Sequence, residues 1–329
     1  ATTTNLNQIN FEDLATTLTL NNTTNTVVQG ANTAGSSAHT ITFGSGAAVQ
    51  SATVNSTGTV NFNVLASNLA TNSQADVDGT PDDGDAAQSF IAVAGATANL
   101  NVTGAGGNFM AVSSSVGEGD DDLVTTNIDT INVNTTTQSI IVAGFEDDEM
   151  TETLNLGSFS GHEVHLDSDG TADGVVTITG FAAGTSGDKI LLNEATTAGA
   201  TDMTSVVIAA TTGGTLPGTG TAVGAATSLY VATSSAAQIS GDLTATGDAG
   251  AVEASLIAAA MVITGASAAN ENFYYAADNG TATGIYRVAT VNGNMADNIP
   301  NAANEFSLTL IATIDVADSS TLVAANFAS

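Results

Sequence analysis

The chain of 329 residues has no cysteine, no tryptophan, three prolines and only two basic side chains, Lys189 and Arg287. Without cysteine there is neither a disulfide frame nor a thiolate metal site. Two bases against 33 acidic residues leave a formal charge of -31, so salt bridges within the chain can pair very few carboxylates. Nucleic acid is excluded as a partner on the same ground, because phosphate neutralisation needs Lys and Arg. No apolar run approaches the roughly 18 residues of a membrane span. The opening ATTTNLNQINFEDL lacks the basic and apolar regions of a secretory signal.

Signatures of catalysis are also missing. There is no G-x-S-x-G elbow, no serine with His and Asp in a recognisable order, and no phosphate loop with its lysine. Aromatic residues are 5% of the chain, too sparse for the platforms of a carbohydrate cleft. The chain is not expected to be an enzyme. His162 and His165 stand three apart, on opposite faces of a regular strand, and no third ligand accompanies them, so a zinc site is not expected.

What is present reads as a folded all-β chain. Charged residues are 11% and apolar residues 43%, a globular balance, and the 34 glycines suit short strands joined by turns. Period-two patterns recur at residues 59–64 (TVNFNV), 99–102 (NLNV), 129–134 (DTINVN) and 152–156 (ETLNL). In each, Asn lies between apolar residues and so on the face opposite to them, where amides can stack in hydrogen-bonded ladders if the strands lie parallel and in register. This predicts an irregular parallel β-solenoid, β-roll-like in character. The uneven intervals from Phe62 to Leu100, Ile131 and Leu154 keep a β-sandwich as the alternative. A smaller C-terminal β-rich domain with a short helix over 249–261 is expected to follow. Three regions result: an N-terminal β-strand region (1–75), an acidic calcium-binding β region (76–195) and a C-terminal assembly and secretion domain (196–329).

The acids cluster, 20 of the 33 falling between Asp76 and Asp188. Oxygen-rich, glycine-containing loops suit calcium, which takes six to eight oxygen ligands in flexible geometry. The first such loop, DVDGTPDDGD, offers Asp76, Asp78, Asp82, Asp83 and Asp85. The second, GEGDDDLV, matches one degenerate copy of the calcium-binding nonapeptide G-G-x-G-x-D-x-U-x through Gly117, Gly119, Asp121 and Leu123. The third, DSDGTADG, offers Asp167, Asp169 and Asp173. A fourth cluster, EDDE at 146–149 with Glu152, reads equally well as a charged cap between strands.

The segment VTITGFAAGTSGDKILL (176–192) resembles the ITGF-x-x-G-x-D-x-I-D-L signature near the ends of calcium-binding proteins exported by bacterial type I secretion, with Leu191 in place of its last aspartate. The closing region is similar to the terminal β-hairpin domain of the same proteins, with NFYYAADNG (272–280), GIYRV (284–288), FSLTLIAT (306–313) and an LTxxNF-like end at 322–327. Surface-layer proteins of this class also share the Thr/Ala/Asn/Gly-rich, base-poor composition. The resemblance implies calcium as cofactor, with Asp188 among its ligands. It further implies C-terminal export and self-assembly outside the cell into a lattice or filament at the cell surface, where polysaccharide is a further partner. Two other expectations stand beside it: a filament or adhesin subunit joined by strand exchange, and the calcium-binding module of a secreted hydrolase. Removing residues 321–329 is expected to hold the chain inside the cell while leaving a product that folds with calcium in vitro.

Overall fold

A computed structural model describes residues 9–10, 16–20, 26–32, 39–43, 49–56, 59–65, 90–94, 98–106, 108–111, 130–143, 153–167, 175–193, 222–224, 229–231, 243, 252, 254, 262–264, 272–290 and 305–328. Strands dominate them and no helix reaches seven residues, so the protein is all-β. The helix predicted over 249–261 is described only at Val252 and Ala254, both helical. The region boundaries predicted at 75/76 and 195/196 lie outside the described residues. The chain divides into two compact units, Ala1–His165 and Leu166–Ser329.

In the first unit, six strands form one parallel sheet in the order β12-β10-β8-β6-β4-β2. They are β2 (Thr16–Leu20), β4 (His39–Phe43), β6 (Val60–Leu65), β8 (Ala98–Gly104), β10 (Thr130–Thr135) and β12 (Thr153–Asn155). The intervening strands pair elsewhere. β1 (Ile9–Asn10), β3 (Thr26–Asn32), β5 (Val49–Ser56) and β7 (Phe90–Ala94) make a second parallel sheet. β9 (Asn108–Ala111) pairs in parallel with β11 (Ile140–Ala143), and β13 (Glu163–Asp167) contains the division between the units. Successive strands therefore alternate between sheets.

The register explains why these residues stack. Leu18, Ile41, Phe62, Leu100, Ile131 and Leu154 are mutual Cα partners from strand to strand. From Phe62 onward this column is buried, and so is the next, Val64, Val102 and Val133. Full burial of each such side chain stabilises by about 1.5–3 kcal/mol. On the other face the amides form the expected ladder. Asn99 donates to Asn61 (3.0 Å), Asn101 to Asn63 (2.9 Å), Asn132 to Asn101 (2.9 Å) and Asn155 to Asn132 (3.3 Å).

The turns stack as well. The Thr136 N–H donates to the Gly104 carbonyl (2.8 Å), and the Gly106 N–H to the Thr137 hydroxyl (2.7 Å). A side chain at Gly106 is impossible without movement, because its Cβ would fall 1.7 Å from the Gln138 carbonyl oxygen.

In the second unit, β17 (Leu229–Val231), β19 (Asn272–Asp278), β20 (Thr283–Thr290), β21 (Phe306–Ile314) and β14 (Val176–Thr179) are neighbours in that order. β19 and β20 form an antiparallel hairpin and β20 pairs antiparallel with β21. β17 with β19 and β21 with β14 are parallel pairs. Two smaller parallel pairs complete the unit: β16 (Ala222–Gly224) with β18 (Val262–Thr264), and β15 (Lys189–Asn193) with β22 (Phe327–Ala328). Tyr274, Tyr275, Ala276 and Ala277 are all buried in succession, so both faces of β19 are covered. β21 has a neighbour on each side, β20 and β14.

Candidate functional site

The loop between β14 and β15 carries the GFAAGTSGD part of the signature, and three elements hold it. First, the Asp188 N–H donates to the Ala182 carbonyl (2.8 Å), while Oδ2 of the buried Asp188 accepts from the Ala182 N–H (2.7 Å). The backbone at Gly187 passes so close that a Cβ there would lie 1.9 Å from the Ala182 oxygen. Second, Asp315, just past β21, accepts from the Gly180 N–H at Oδ2 (2.7 Å) and the Phe181 N–H at Oδ1 (3.0 Å). Third, Asn326 reaches in from the 3₁₀ turn Ala324–Asn326.

Asn326 is fully buried. Its Oδ1 accepts from the N–H groups of Gly184 (2.9 Å) and Val323 (3.0 Å). Its Nδ2 donates to the carbonyls of Asp188 (2.7 Å) and Gly184 (3.1 Å) and approaches that of Ala182 (3.4 Å). An amide carries two N–H donors and one acceptor oxygen. Asn326 thus satisfies backbone groups of both kinds that a tight glycine loop leaves unmade. The two halves of the sequence resemblance, the ITGF segment and the LTxxNF-like end, meet at this residue.

A related brace lies at the hairpin tip. Buried Asp278 accepts from the Gly280 N–H at Oδ1 (3.2 Å), and at Oδ2 from the N–H (3.1 Å) and hydroxyl (2.6 Å) of Ser319. Asp318 caps the 3₁₀ turn Ser319–Thr321. Hydrogen bonds from Ser320, side chain before backbone, lower its pKa below the usual carboxylate value.

Of the residues expected to bind calcium, Asp76, Asp78, Asp82, Asp83, Asp85, Gly117, Gly119, Asp121, Asp169 and Asp173 lie outside the described residues. Asp167 is the last residue of β13 and Asp188 lies in the braced loop. Among the described residues no three His, Cys, Asp or Glu side chains gather as a metal-binding group. The carbonyl oxygens of Asp188, Gly184 and Ala182 converge on the Asn326 amide nitrogen.

No match to this chain is found among protein-family models, curated proteins or solved structures. Among the described residues no helix is long and apolar enough to cross a membrane.

Sequence reasoning missed Asp315, Ser319 and the structural use of His162. Buried His162 accepts at Nδ1 from the Ser139 N–H (3.2 Å) and meets the Phe159 ring edge-on at 5.1 Å. None of the three has a local pattern that announces its partner. One expectation is corrected. Leu322, Asn326 and Phe327 are core residues of the second unit, so a chain without residues 321–329 loses β22 and the closure of the loop. Burial of two large apolar side chains alone is worth about 3–6 kcal/mol, comparable to the whole stability of many domains. Such a truncation is expected to weaken folding of the second unit as well as to test export.

Proposed function

We propose that this chain is an exported structural protein that assembles with copies of itself, in a calcium-dependent way, into a layer at a bacterial cell surface. Its body is read as a parallel β-solenoid, supported by the alternation of successive strands between sheets and by the stacked register. One observation carries the calcium part. The acidic segments 112–129 and 144–152 start from partnered residues, Ala111 and Ala143, and end at partnered residues, Thr130 and Thr153. Both ends of two successive acid-rich connections are thus held one strand apart, about 4.8 Å, in a chain with two basic side chains. Acid-rich connections anchored so near one another repel, and a divalent cation relieves that repulsion.

In this reading the carboxylates of 76–85, 117–122 and 167–173 hold calcium, while Asp188 braces its loop. Binding to the native state adds stability by mass action, so folding is weak where calcium is scarce and is driven forward outside the cell. Polysaccharide at the cell surface is the partner that would retain the layer.

Electron microscopy of the purified full chain, in millimolar calcium and in chelator, tests this reading. Ordered sheets with calcium and dispersed particles without it are expected. Filaments would favour the strand-exchange alternative, and dispersed particles at high protein concentration under both conditions would overturn assembly.

A further inference from the structure

We propose that the face of the first unit's six-strand sheet opposite its core, lined by rows of Thr and Asn, is the surface on which a second copy of this chain docks. The proposal rests on the self-assembly reading above and names the contact it needs.

Alternation along the strands divides the side chains. Phe62, Leu100, Ile131 and Leu154 go to the core, while Asn61, Asn99, Thr130 and Thr153 in one register row are half-buried on the other face. Thr17 and Thr40 continue that row by register. The second row runs Thr19, Thr42, Asn63, Asn101, Asn132 and Asn155. Neither row contains a charged residue.

Charge decides why this face suits a like partner. Each copy carries a net -31, and contact through acidic surface would bring unpaired carboxylates within a screening length of about 8 Å at physiological salt. An uncharged face avoids that repulsion. Its chemistry is also self-complementary. The ladder engages one N–H and one carbonyl position of a central amide such as Asn101, and an amide has a second N–H and a further lone pair. A hydroxyl likewise donates and accepts, so two identical faces can satisfy each other, as a two-fold contact requires. Because neighbouring amides already hold one another, little rotamer freedom remains to be lost on contact.

The size fits a lattice contact. Six strands at about 4.8 Å spacing and five residues at about 3.3 Å give roughly 500 Å² per copy. A pair buries about 1,000 Å², the lower limit for a specific interface. One such contact is weak, and repetition across an array supplies the rest. The absence of aromatic residues from both rows disfavours a polysaccharide stacked on this face.

Two variants of the full chain test the idea by sedimentation velocity in millimolar calcium, with thermal melting as the check on folding. Thr130→Glu with Thr153→Glu places two charges on adjacent partners of the first row. Asn134→Glu places one at an exposed position of the same strand face, outside the ladder. Both are expected to weaken self-association at least about tenfold, Asn134→Glu with an unchanged melting temperature and the double variant with a lower one, because its like charges stand one strand apart. Mixing Thr153→Lys with Thr153→Glu chains should restore assembly beyond either alone. If the double variant does not fold, Asn134→Glu decides. Variants that melt and assemble like the parent overturn the proposal while leaving the assembly reading intact. A parent that stays monomeric in calcium overturns that reading first and this contact with it. Loss of binding to purified surface polysaccharide, with self-association unchanged, reassigns the face and also overturns the proposal.

Discussion

Asn326 shows how much one side chain can hold when its neighbours are backbone. Its amide meets N–H groups of Gly184 and Val323 and carbonyls of Gly184 and Asp188, all within 3.1 Å. Replacing it by alanine leaves those groups buried without their partner, at about 1–3 kcal/mol for each unsatisfied group. Asn326→Ala is therefore expected to destabilise the second unit by about 3 kcal/mol or more, read as a lowered denaturant midpoint. The same midpoint in parent and variant would mean that the loop does not need this closure. Nothing local in the sequence distinguishes Asn326 from the many other asparagines of the chain. The resemblance showed that its motif accompanies the ITGF segment, but only the structure shows why, since the contact joins residues 138 to 144 positions apart.

At the level of elements, the sheet of the first unit was far more legible. Its strands alternate with period two, and the position of Asn between apolar residues announced both the parallel register and the ladder. The uneven spacing argued against a repeat, yet the register is unbroken. Asn61 and Asn99 are 38 residues apart, Asn101 and Asn132 31, and Asn132 and Asn155 23. Positions 18, 41 and 62 are separated by nearly the last of these values. The longer intervals contain the acidic segments around Asp76–Asp85 and Glu118–Asp122, so the spacing varies with these acid-rich segments while the strands keep one register. Core and ladder should respond differently to mutation. Ile131→Ala removes a fully buried side chain and is expected to destabilise by about 2–5 kcal/mol. Asn132→Ala removes two half-buried hydrogen bonds and should cost about 1–2 kcal/mol. Denaturant unfolding of both variants measures the difference, and an equal or larger loss at Asn132 would show that the ladder rather than the core sets the register.

For the whole molecule, charge is the dominant fact, and two effects of added ions have to be separated. At 1 M sodium chloride the screening length falls to about 3 Å, which relieves general repulsion but fills no oxygen cage. Millimolar calcium does little screening and acts only by binding. The expected outcome in chelator is a modest rise in melting temperature with sodium chloride, and a larger one when calcium replaces the chelator. Equal shifts would reduce calcium to a counterion. The long-range closure of the second unit bears on timing as well. Strands of the first unit find their partners 23 to 38 residues away, so each pairing closes a short loop. Asp188 waits for Asn326, 138 positions later. Closing so long a loop costs about 1–2 kcal/mol more in chain entropy than the pairings of the first unit. The first unit can therefore form while the second is unfinished, and the protein is built in two acts with the clasp arriving last.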